Sequence, residues 1–358
     1  MTPRLSICIP TYNRAGKLRV MLEALLPQAA AFVASGELEV CVSDNGSPDD
    51  TQGVLAAALA VCPMRIHRQP QNVGVIRNIH HLVTQMAQGE WVWVLGDDDL
   101  LRPGALARVV EALRGEAGPG GPGGVDALYL NFEQARLHLH WPEHAVGGYT
   151  GESDGPASPD LRSRRLERWE DALCEESCLG TQVYVHVLKR PIWAGYALDG
   201  HLGEPFESPR WTYPHMFMAA SAMFGKPAMY LGQPVLVIFN GAQSWMEEAP
   251  RVGIVAIPGV VRHLASLGLP GDRVRAFKRW CDRLAVGILF NHLNGVARHP
   301  QVGVRSYLAA RWREPAAWGV ARRALWMYSY TQTYAWMSRR CPWLLKLLRP
   351  FGRGAPAR

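Results

Sequence analysis

Strand and helix patterns alternate along the first 115 residues, and this alternation limits the possible folds more than any other feature of the chain. Short apolar segments predict strands at residues 5–9, 38–42, 64–67 and 91–95, and helical spacing of apolar residues predicts helices at 17–26, 49–60, 75–88 and 103–114. Strands separated by helices need right-handed crossovers, which make the strands mainly parallel and cover both faces of the sheet. We therefore predict an α/β fold with a Rossmann-like sheet flanked by helices.

Three aspartates, Asp97, Asp98 and Asp99, follow the fourth predicted strand after a single glycine. Adjacent carboxylates repel each other and resist burial, so folding alone does not favour them. One interpretation is a divalent cation held by oxygen ligands and shared with a phosphate. The other is a helix N-cap, since Pro103 lies near the first turn of the next predicted helix.

Polar side chains also follow the other three strands, in segments 10–14, 43–47 and 71–74. In open α/β sheets, ligands bind beyond the carboxyl ends of the strands. The hydroxyl, amide, carboxylate and aromatic groups at these positions suit a base, a ribose and phosphates. Four such strand ends together predict a nucleotide pocket and favour the metal interpretation of the aspartates.

These motifs resemble family 2 glycosyltransferases with the GT-A fold, of the bacterial surface-polysaccharide type. The resembling segments are Pro-Thr-Tyr-Asn-Arg at 10–14, Ser-Asp-Asn-Gly-Ser at 43–47, Asn72-x-Gly74-x-x-Arg77-Asn78, and Gly-Glu-Trp-Val-Trp-Val-Leu-Gly-Asp-Asp-Asp at 89–99. The resemblance covers the first third of the chain well and the middle third loosely. It implies a metal-dependent transferase that moves a sugar from a nucleotide sugar to a glycan or lipid-linked glycan, in polysaccharide or lipopolysaccharide biosynthesis.

The resemblance also implies roles for individual residues. Thr11, Tyr12, Asn13 and Arg14 would bind the donor, Asp44 would accept a hydrogen bond from the base, and Asn72, Gly74, Arg77 and Asn78 would close the nucleoside pocket. Asp97 would approach the ribose and, through water, the metal; Asp99 would ligate Mn²⁺ or Mg²⁺ directly, and Asp98 would lie beside the donor or cap a helix. Asx turns at Asn13 and Asp44, and a helix entry at Asn72, are the structural alternatives.

The catalytic base is where the chain departs from the family pattern. Family 2 enzymes commonly carry a Glu-Asp pair at the start of a helix in the second half, and segment 210–216 contains none. His215 in this segment is our first candidate, because histidine can accept a proton near neutral pH. Glu207 is the second candidate and Glu204 lies close by. A buried structural role for His215 is the alternative.

We predict a GT-A domain at 1–245, with a nucleotide-binding half at 1–115 and an acceptor half at 125–245, and a helical, basic, aromatic-rich region at 246–358. Within the second half we predict a helix at 161–178, a strand at 181–188, a helix at 211–224 around Pro214 and a strand at 231–239, with helices from residue 252 onward. His138, His140 and His144 form either a metal site or an incidental cluster. Trp245 contacts either the acceptor or the core.

Positive charge is concentrated at the end of the chain. The net charge is +7, but residues 305–358 contain eleven Lys and Arg and one acidic residue, so this segment carries +10 and the preceding part −3. Interleaved aromatic residues suggest binding to an anionic membrane surface, and a solvated basic face is the alternative. We expect no nucleic acid partner, because no recognition motif accompanies the basic residues.

Cysteine usage and hydropathy predict the compartment. The seven cysteines are scattered and lack zinc-ligand spacing, which fits a reducing cytoplasm. Neither a signal peptide nor a run of about 18 apolar residues is recognisable. We therefore expect a cytoplasmic protein, peripheral on the inner face of the cytoplasmic membrane.

Two rival functions remain open from the sequence. A catalytically degenerate GT-A-like protein would bind a glycan or a partner without turnover. A sugar-phosphate nucleotidylyltransferase would share the layered sheet, but it would need a Gly-rich phosphate loop after the first strand, and segment 10–14 is not of that type.

Overall fold

The structure, a computed structural model, describes residues 2–115, 124–136, 153–240, 246–296, 299, 302–311 and 313–340. The candidates His138, His140, His144 and Trp245 lie outside the described residues. The chain forms two compact units, Met1–Met246 with Arg262–Leu269, and Glu247–Val261 with Pro270–Arg358. The predicted boundary at residue 245 lies next to the first of these limits, and the division into nucleotide-binding and acceptor halves stays a prediction.

The first part of unit 1 alternates strands and helices as predicted. Its elements are β1 (Leu5–Thr11), α1 (Ala15–Ala34), β2 (Leu38–Asp44), α2 (Thr51–Leu59), β3 (Arg65–Arg68), α3 (Val75–His81), a π-helical turn (Leu82–Met86), β4 (Trp91–Val94), β5 (Leu100–Leu101) and α4 (Ala105–Arg114). Strands β1, β2 and β4 are almost entirely buried, which explains their mostly apolar sequences. Among the polar exceptions, Ser6 and Glu39 are buried and hydrogen-bonded to each other.

The second part of unit 1 has longer strands and many short turns. Its strands are β6 (Ala127–Arg136), β7 (Gly155–Pro156), β8 (Arg164–Leu166), β9 (His186–Lys189) and β10 (Ala228–Asn240). Its helical elements are 3₁₀ turns at Trp169–Ala172, Cys178–Gly180, Val183–Val185 and Arg190–Tyr196, and helices α5 (Pro209–Thr212) and α6 (Pro214–Met223).

One sheet contains all ten strands. Its main path runs β3-β2-β1-β4-β9-β6-β10-β5, with β7 paired to β6 and β8 paired to β10. Pairings are parallel from β3 to β4 and between β6 and β10, whereas β9 runs antiparallel to both of its neighbours. The mixed, mostly parallel sheet flanked by helices agrees with the predicted fold class.

The predicted helix at 161–178 is wrong. Arg164–Leu166 instead forms β8, which pairs antiparallel with β10, and Trp169–Ala172 forms a 3₁₀ turn. Leu166 and Trp169 are buried, so their spacing reflects burial against the sheet and not a helical face. The predicted strand at 181–188 begins later than expected, at His186, because Val183–Val185 forms a 3₁₀ turn.

Unit 2 is helical, as predicted. It contains α7 (Ala249–Arg251), a π-helical segment (Val252–Ala256), the first part of α8 (Ile257–Ser266), α9 (Gly271–Leu293), α10 (Val304–Arg311) and α11 (Pro315–Arg340). Helices α9, α10 and α11 share an apolar core that includes Leu289, Tyr307 and Ala324. Among the described residues, none of the helices combines the length and apolar character that a membrane crossing requires.

Candidate active site

The carboxyl ends of β1, β2 and β4 meet at one edge of the sheet because these strands are parallel. Thr11 and Asp44, the last residues of β1 and β2, are register partners. The Leu95 N–H donates to the Cys8 carbonyl at 3.0 Å, so the chain after β4 continues beside β1. This continuation brings Asp97 to the end of β1, where Thr11 Oγ1 donates to Asp97 Oδ2 at 2.8 Å.

Two cations at the start of α1 face the aspartates. Arg14 Nη1 donates to Asp97 Oδ1 at 2.9 Å and to Asp98 Oδ2 at 3.0 Å, and Lys17 Nζ lies 3.6 Å from Asp98 Oδ2. Asn13 has a φ of +54°, a left-handed conformation that asparagine tolerates better than most residues. Its N–H donates to Ser47 Oγ at 2.9 Å, which holds the turn before Arg14.

Asp99 folds back onto the backbone at the end of β4. The Gly96 N–H donates to Asp99 Oδ2 at 2.7 Å, and a β-carbon at position 96 would lie 2.8 Å from that oxygen. A larger residue at position 96 would therefore displace the Asp99 carboxylate from this hydrogen bond. The N-cap of α4 is Gly104, and β5 lies between Asp99 and that helix, so the three carboxylates are not caps of α4.

Burial sets the protonation of the two innermost carboxyls. Asp97 is 5% exposed and Asp99 is 4% exposed. Burial raises the pKa of Asp97 to about 6; the Arg14 cation opposes this shift and Asp98 adds to it. Burial, followed by Asp98, raises the pKa of Asp99 well above its usual value, against the Gly96 N–H. Carboxylates shifted in this way at a sheet edge are typical of functional sites.

The carboxylates suit a divalent cation that arrives with its own oxygen ligands. In the described ranges, no group of three or more His, Cys, Asp and Glu side chains is placed to hold a metal ion. Mg²⁺ is commonly held by one or two carboxylates, with phosphate oxygens and water as its other ligands. Asp99, anchored through one oxygen to Gly96, fits such a ligand, and Asp97 lies beside it with its oxygens bound to Thr11 and Arg14.

Asp44, the expected base contact, is fully buried. Its Oδ1 accepts the Ser47 N–H at 2.9 Å, and its Oδ2 accepts Gln52 Nε2 and lies 3.5 Å from Arg68 Nε. The carboxylate thus organises the turn between β2 and α2, as the Asx-turn alternative predicted. Its contact with a base stays a prediction.

Amide side chains fix the segment between β3 and α3. Asn45 Nδ2 donates to Asn72 Oδ1 at 2.8 Å, and the same oxygen accepts the Gly74 N–H at 2.9 Å. Asn78 is buried, accepts Ser43 Oγ at 2.7 Å and donates to the Ser43 carbonyl at 3.0 Å. Asn72 and Asn78 therefore hold this segment against the end of β2, and Gly74 is the N-cap of α3.

Arg77 and Tyr12 are exposed members of the predicted set. Tyr12 is 40% exposed next to the Asn13 turn. Arg77 Nη2 donates to Glu204 Oε1 at 2.7 Å, and this hydrogen bond lowers the pKa of Glu204. The Glu204 N–H donates to Glu207 Oε2 at 3.0 Å. Both candidate glutamates are exposed. Their segment contacts Arg77, a residue of the predicted nucleoside pocket.

His215 lies in the interior of unit 1. Its Nε2 is 2.8 Å from the Thr181 carbonyl, and since a carbonyl only accepts, Nε2 carries the proton. Its ring centroid lies 6.2 Å from that of His186. Burial, followed by His186, lowers the pKa of His215 to about 3. A neutral ring bound to the backbone favours the structural alternative over a general base.

The sequence motifs missed two residues beside the aspartates. Lys17 follows Arg14 by three positions at a helix start, a spacing that could have identified it. Tyr184 precedes β9 in a region without motifs; burial, followed by Asp99, raises the pKa of its phenol well above the usual value. Trp93 Nε1 donates to the Tyr184 carbonyl at 2.8 Å and so ties that segment to β4.

The part of the chain that contains the candidate site is similar in sequence to known proteins. Residues 6–121 match the family model described as Glycosyl transferase family 2. An abequosyltransferase of Salmonella typhimurium is 33% identical over 105 residues, covering 29% of this chain and 30% of that protein. A GalNAc(5)-diNAcBac-PP-undecaprenol beta-1,3-glucosyltransferase of Campylobacter jejuni is 34% identical over 112 residues, covering 30% of this chain and 34% of that protein. The aligned segments thus span about a third of these relatives.

A solved structure extends the likeness to most of the fold. Residues 1–349 of S. aureus TarS, in complex with UDP-GlcNAc, match with a TM-score of 0.51 and 13% identity, covering 88% of this chain and 79% of that chain. At this identity the match shows the fold alone, and the predicted GT-A fold is confirmed. The match to family 2 glycosyltransferases covers residues 6–121, and this segment contains the aspartate cluster and the ends of β1, β2 and β4.

Proposed function

We propose that this protein is a metal-dependent glycosyltransferase that moves a sugar from a nucleotide-sugar donor to a glycan or lipid-linked glycan. The observation that carries the proposal is the buried pair Asp97 and Asp99 at the edge where β1, β2 and β4 end. The names of the two bacterial relatives support transfer of a sugar, and the undecaprenol in the name of the second supports a lipid-linked acceptor. The UDP-GlcNAc bound to the structural neighbour supports a nucleotide-sugar donor.

We assign separate roles to the residues at this edge of the sheet. Asp99, fixed by the Gly96 N–H, would ligate Mn²⁺ or Mg²⁺, and Asp97 would accept a ribose hydroxyl beside Thr11. A divalent cation held there neutralises the diphosphate leaving group. Tyr12 and Asn13 would line the base and ribose side, and Arg77 would help to close the nucleoside pocket. Asp44, Asn72 and Asn78 would shape the pocket through their contacts within the loops.

Of the two candidates for the general base, we favour Glu207 over His215. A general base removes the proton of the acceptor hydroxyl as that oxygen attacks the anomeric carbon. A carboxylate that is exposed can reach an acceptor, whereas His215 is buried and its protonated nitrogen faces the Thr181 carbonyl. Glu204 is already paired with Arg77, so we assign it to the pocket wall.

Turnover with candidate donors tests the proposal. We expect a panel of nucleotide sugars to raise the apparent melting temperature of the protein in the presence of Mn²⁺, because a ligand of the folded state stabilises it. We then expect the donor so identified to be hydrolysed slowly with Mn²⁺, and Asp99→Ala to abolish this hydrolysis. Hydrolysis that is unimpaired in Asp99→Ala would refute the metal assignment.

The missing Glu-Asp pair favours one alternative, a GT-A-like protein that binds a glycan or a partner without turnover. Donor binding with no hydrolysis and no transfer to any acceptor would support that alternative. A nucleotidylyltransferase would instead release diphosphate from a nucleoside triphosphate and a sugar phosphate, which a phosphate assay detects after hydrolysis by an added inorganic pyrophosphatase.

We further propose that residues 305–358 bind the anionic inner face of the cytoplasmic membrane. Helix α11 exposes a row of stacked aromatic rings: Trp326 and Tyr330 have centroids 5.6 Å apart, and Tyr330 and Tyr334 have centroids 6.4 Å apart. Trp326 is 64% exposed, and Arg322 lies one turn before it. Exposed tryptophan and tyrosine beside arginine are typical of helices that lie in a membrane interface.

Vesicle binding tests the membrane proposal. We expect the full chain to sediment with vesicles that contain phosphatidylglycerol and not with pure phosphatidylcholine vesicles. The double variant Trp326→Ser and Tyr330→Ser should reduce that binding about tenfold, since burial of aromatic area is lost. The matched control is Arg262→Ser, which removes a basic residue outside the segment. Binding that is equal in the double variant and the wild type would contradict the proposal.

A further inference from the structure

We propose that Arg14, assisted by Lys17, is an internal cation that holds the aspartate cluster until the donor diphosphate arrives with its metal. This inference rests on the proposed function and adds a binding order to it. The protein would bind the metal weakly by itself and strongly together with a diphosphate.

The contacts of Arg14 lead to this inference. A single nitrogen, Nη1, bridges Asp97 Oδ1 and Asp98 Oδ2 at 2.9 and 3.0 Å. The Asp97 oxygen that it occupies is one that a ribose hydroxyl or a metal-bound water would need, since the other oxygen accepts Thr11 Oγ1. While Arg14 is bound to it, Asp97 Oδ1 is therefore a weaker acceptor for a ligand, and the guanidinium charge opposes a cation at this oxygen.

The local charge balance gives the binding order. Asp97, Asp98 and Asp99 together carry at most three negative charges, and Arg14 and Lys17 carry two positive charges. A divalent cation added alone would leave an excess of positive charge in a largely buried place, where like charges are poorly screened. A diphosphate added with the cation restores the balance. The two ligands should therefore favour each other's binding, and the coupling is reciprocal by linkage.

A donor phosphate is the new partner that we infer for the released guanidinium. Arginine binds phosphate oxygens through parallel hydrogen bonds, and Arg14 is the N-cap residue of α1. Arg14 would thus exchange one pair of oxygens, on the aspartates, for another pair on the diphosphate. Arg14 would remain in the site, and its charge would stabilise the diphosphate leaving group.

Mn²⁺ binding by the full-length protein tests the proposal without any turnover. Free Mn²⁺ is measured by electron paramagnetic resonance, with no nucleotide present, for the wild type and for Arg14→Met. We expect Arg14→Met to bind Mn²⁺ about tenfold more tightly, because the competing cation is absent. Lys17→Met should give a smaller gain, since Lys17 Nζ lies 3.6 Å from Asp98 Oδ2, farther than the 2.9 and 3.0 Å contacts of Arg14.

Arg19 on the same helix provides the matched control. Its guanidinium lies 3.2 Å from Glu23, so Arg19→Met removes one positive charge from α1 at a position paired with a different carboxylate. We expect Arg19→Met to leave Mn²⁺ affinity unchanged. Adding Asp99→Asn to Arg14→Met should remove the gain, which would locate the bound ion at the cluster.

Equilibrium dialysis with labelled inorganic diphosphate measures the coupling. We expect Mn²⁺ to increase diphosphate binding by about tenfold in the wild type and by less than about threefold in Arg14→Met. Equal Mn²⁺ affinity in wild type and Arg14→Met, equal gains in Arg14→Met and Arg19→Met, or no Mn²⁺ binding by any variant would each overturn the proposal. Failure of the proposed function is separate: it would appear as absent donor turnover in a wild type whose Mn²⁺ affinity still responds to Arg14→Met.

Discussion

The aspartate cluster and the His186–His215 pair are both buried in unit 1, yet burial prepares them for opposite roles. Desolvation disfavours charge in both places, raising the pKa of Asp97 to about 6 and lowering the pKa of His215 to about 3. Asp97 and Asp98 are bound by the side chain of Arg14, whereas Asp99 accepts the Gly96 N–H. The histidines each donate to a backbone carbonyl, a partner fixed by the fold. The two buried groups therefore differ in that the aspartate cluster includes a side-chain cation, which a ligand would displace under the proposal above.

The largest effect should come from Asp99. We expect Asp99→Asn to lower donor turnover by about 10³-fold, because the carboxylate that would hold the metal is lost. The amide oxygen can still accept the Gly96 N–H, and the cost of burying a charge disappears, so the melting temperature should not fall. Asp126→Asn, at a partly exposed carboxylate paired with Lys189, is the control. If Asp99→Asn lowered donor turnover less than tenfold, the aspartates, like the histidines, would have only a structural role.

Substitutions of Glu207 and His215 should differ by about two orders of magnitude in their effect on kcat. We expect Glu207→Gln to lower kcat by about 10²-fold, the usual contribution of a general base. His215→Gln should keep kcat within about threefold, because a glutamine amide can donate to the Thr181 carbonyl in place of the ring. Steady-state kinetics at saturating donor would measure both. The opposite order of losses would restore His215 as the base.

A smaller effect should appear in the pH dependence of stability. The unfolded-state pKa of histidine is about 6.5, whereas burial holds the folded-state pKa of His215 at about 3 and that of His186 at about 4. Between about pH 6.5 and pH 4 the unfolded chain binds protons that the folded chain does not, so stability falls as pH falls. Arg210, Tyr129 and Tyr213 are the other charged or titratable groups at the pair.

Thermal unfolding at pH 7 and pH 5, in EDTA, would measure this effect. We expect the melting temperature of His215→Gln to drop by several degrees less than that of the wild type between these two values. His201→Gln, at an exposed position, should behave like the wild type. An identical acid response in His215→Gln and the wild type would show that His215 titrates in the folded state.

The smallest effect on stability should come from the Arg77–Glu204 ion pair. Both side chains are exposed, and such pairs contribute about 0–1 kcal/mol. Arg77→Gln should change the melting temperature by no more than about 2 °C, yet raise the donor KM if Arg77 lines the pocket. A Glu204→Gln variant with the same KM change would assign the effect to the pair; an unchanged KM in both variants would place Arg77 outside the pocket.

The first part of the sheet could be predicted from sequence because each of its signals is local. The apolar strands end directly in the residues that approach each other, so parallel pairing alone brings Thr11, Asp44 and Asp97 to one edge. Arg14 could be assigned to the donor site but not to the aspartates. Its contacts depend on the left-handed turn at Asn13, which no periodic pattern encodes.

The second part could not be predicted as well because its elements depend on distant partners. Arg164–Leu166 becomes a strand only because β10 offers a free edge, more than 60 residues later in the sequence. Its own spacing of apolar residues fits a helix equally well. The environment of His215 depends in the same way on Thr181 and His186, whose proximity follows from the position of β9 in the sheet.

The antiparallel direction of β9 determines which segment of the chain lies beside the aspartate cluster. Because β9 runs antiparallel to β4, the chain enters β9 at the edge where β1, β2 and β4 end. The entering segment holds three consecutive left-handed residues, Cys178, Leu179 and Gly180, and then Tyr184 near Asp99. Insertions and exchanges in this segment would alter the surface next to the donor while leaving every motif of residues 6–121 intact. Related chains could therefore diverge in acceptor choice there without losing the nucleotide-binding sequence that identifies them.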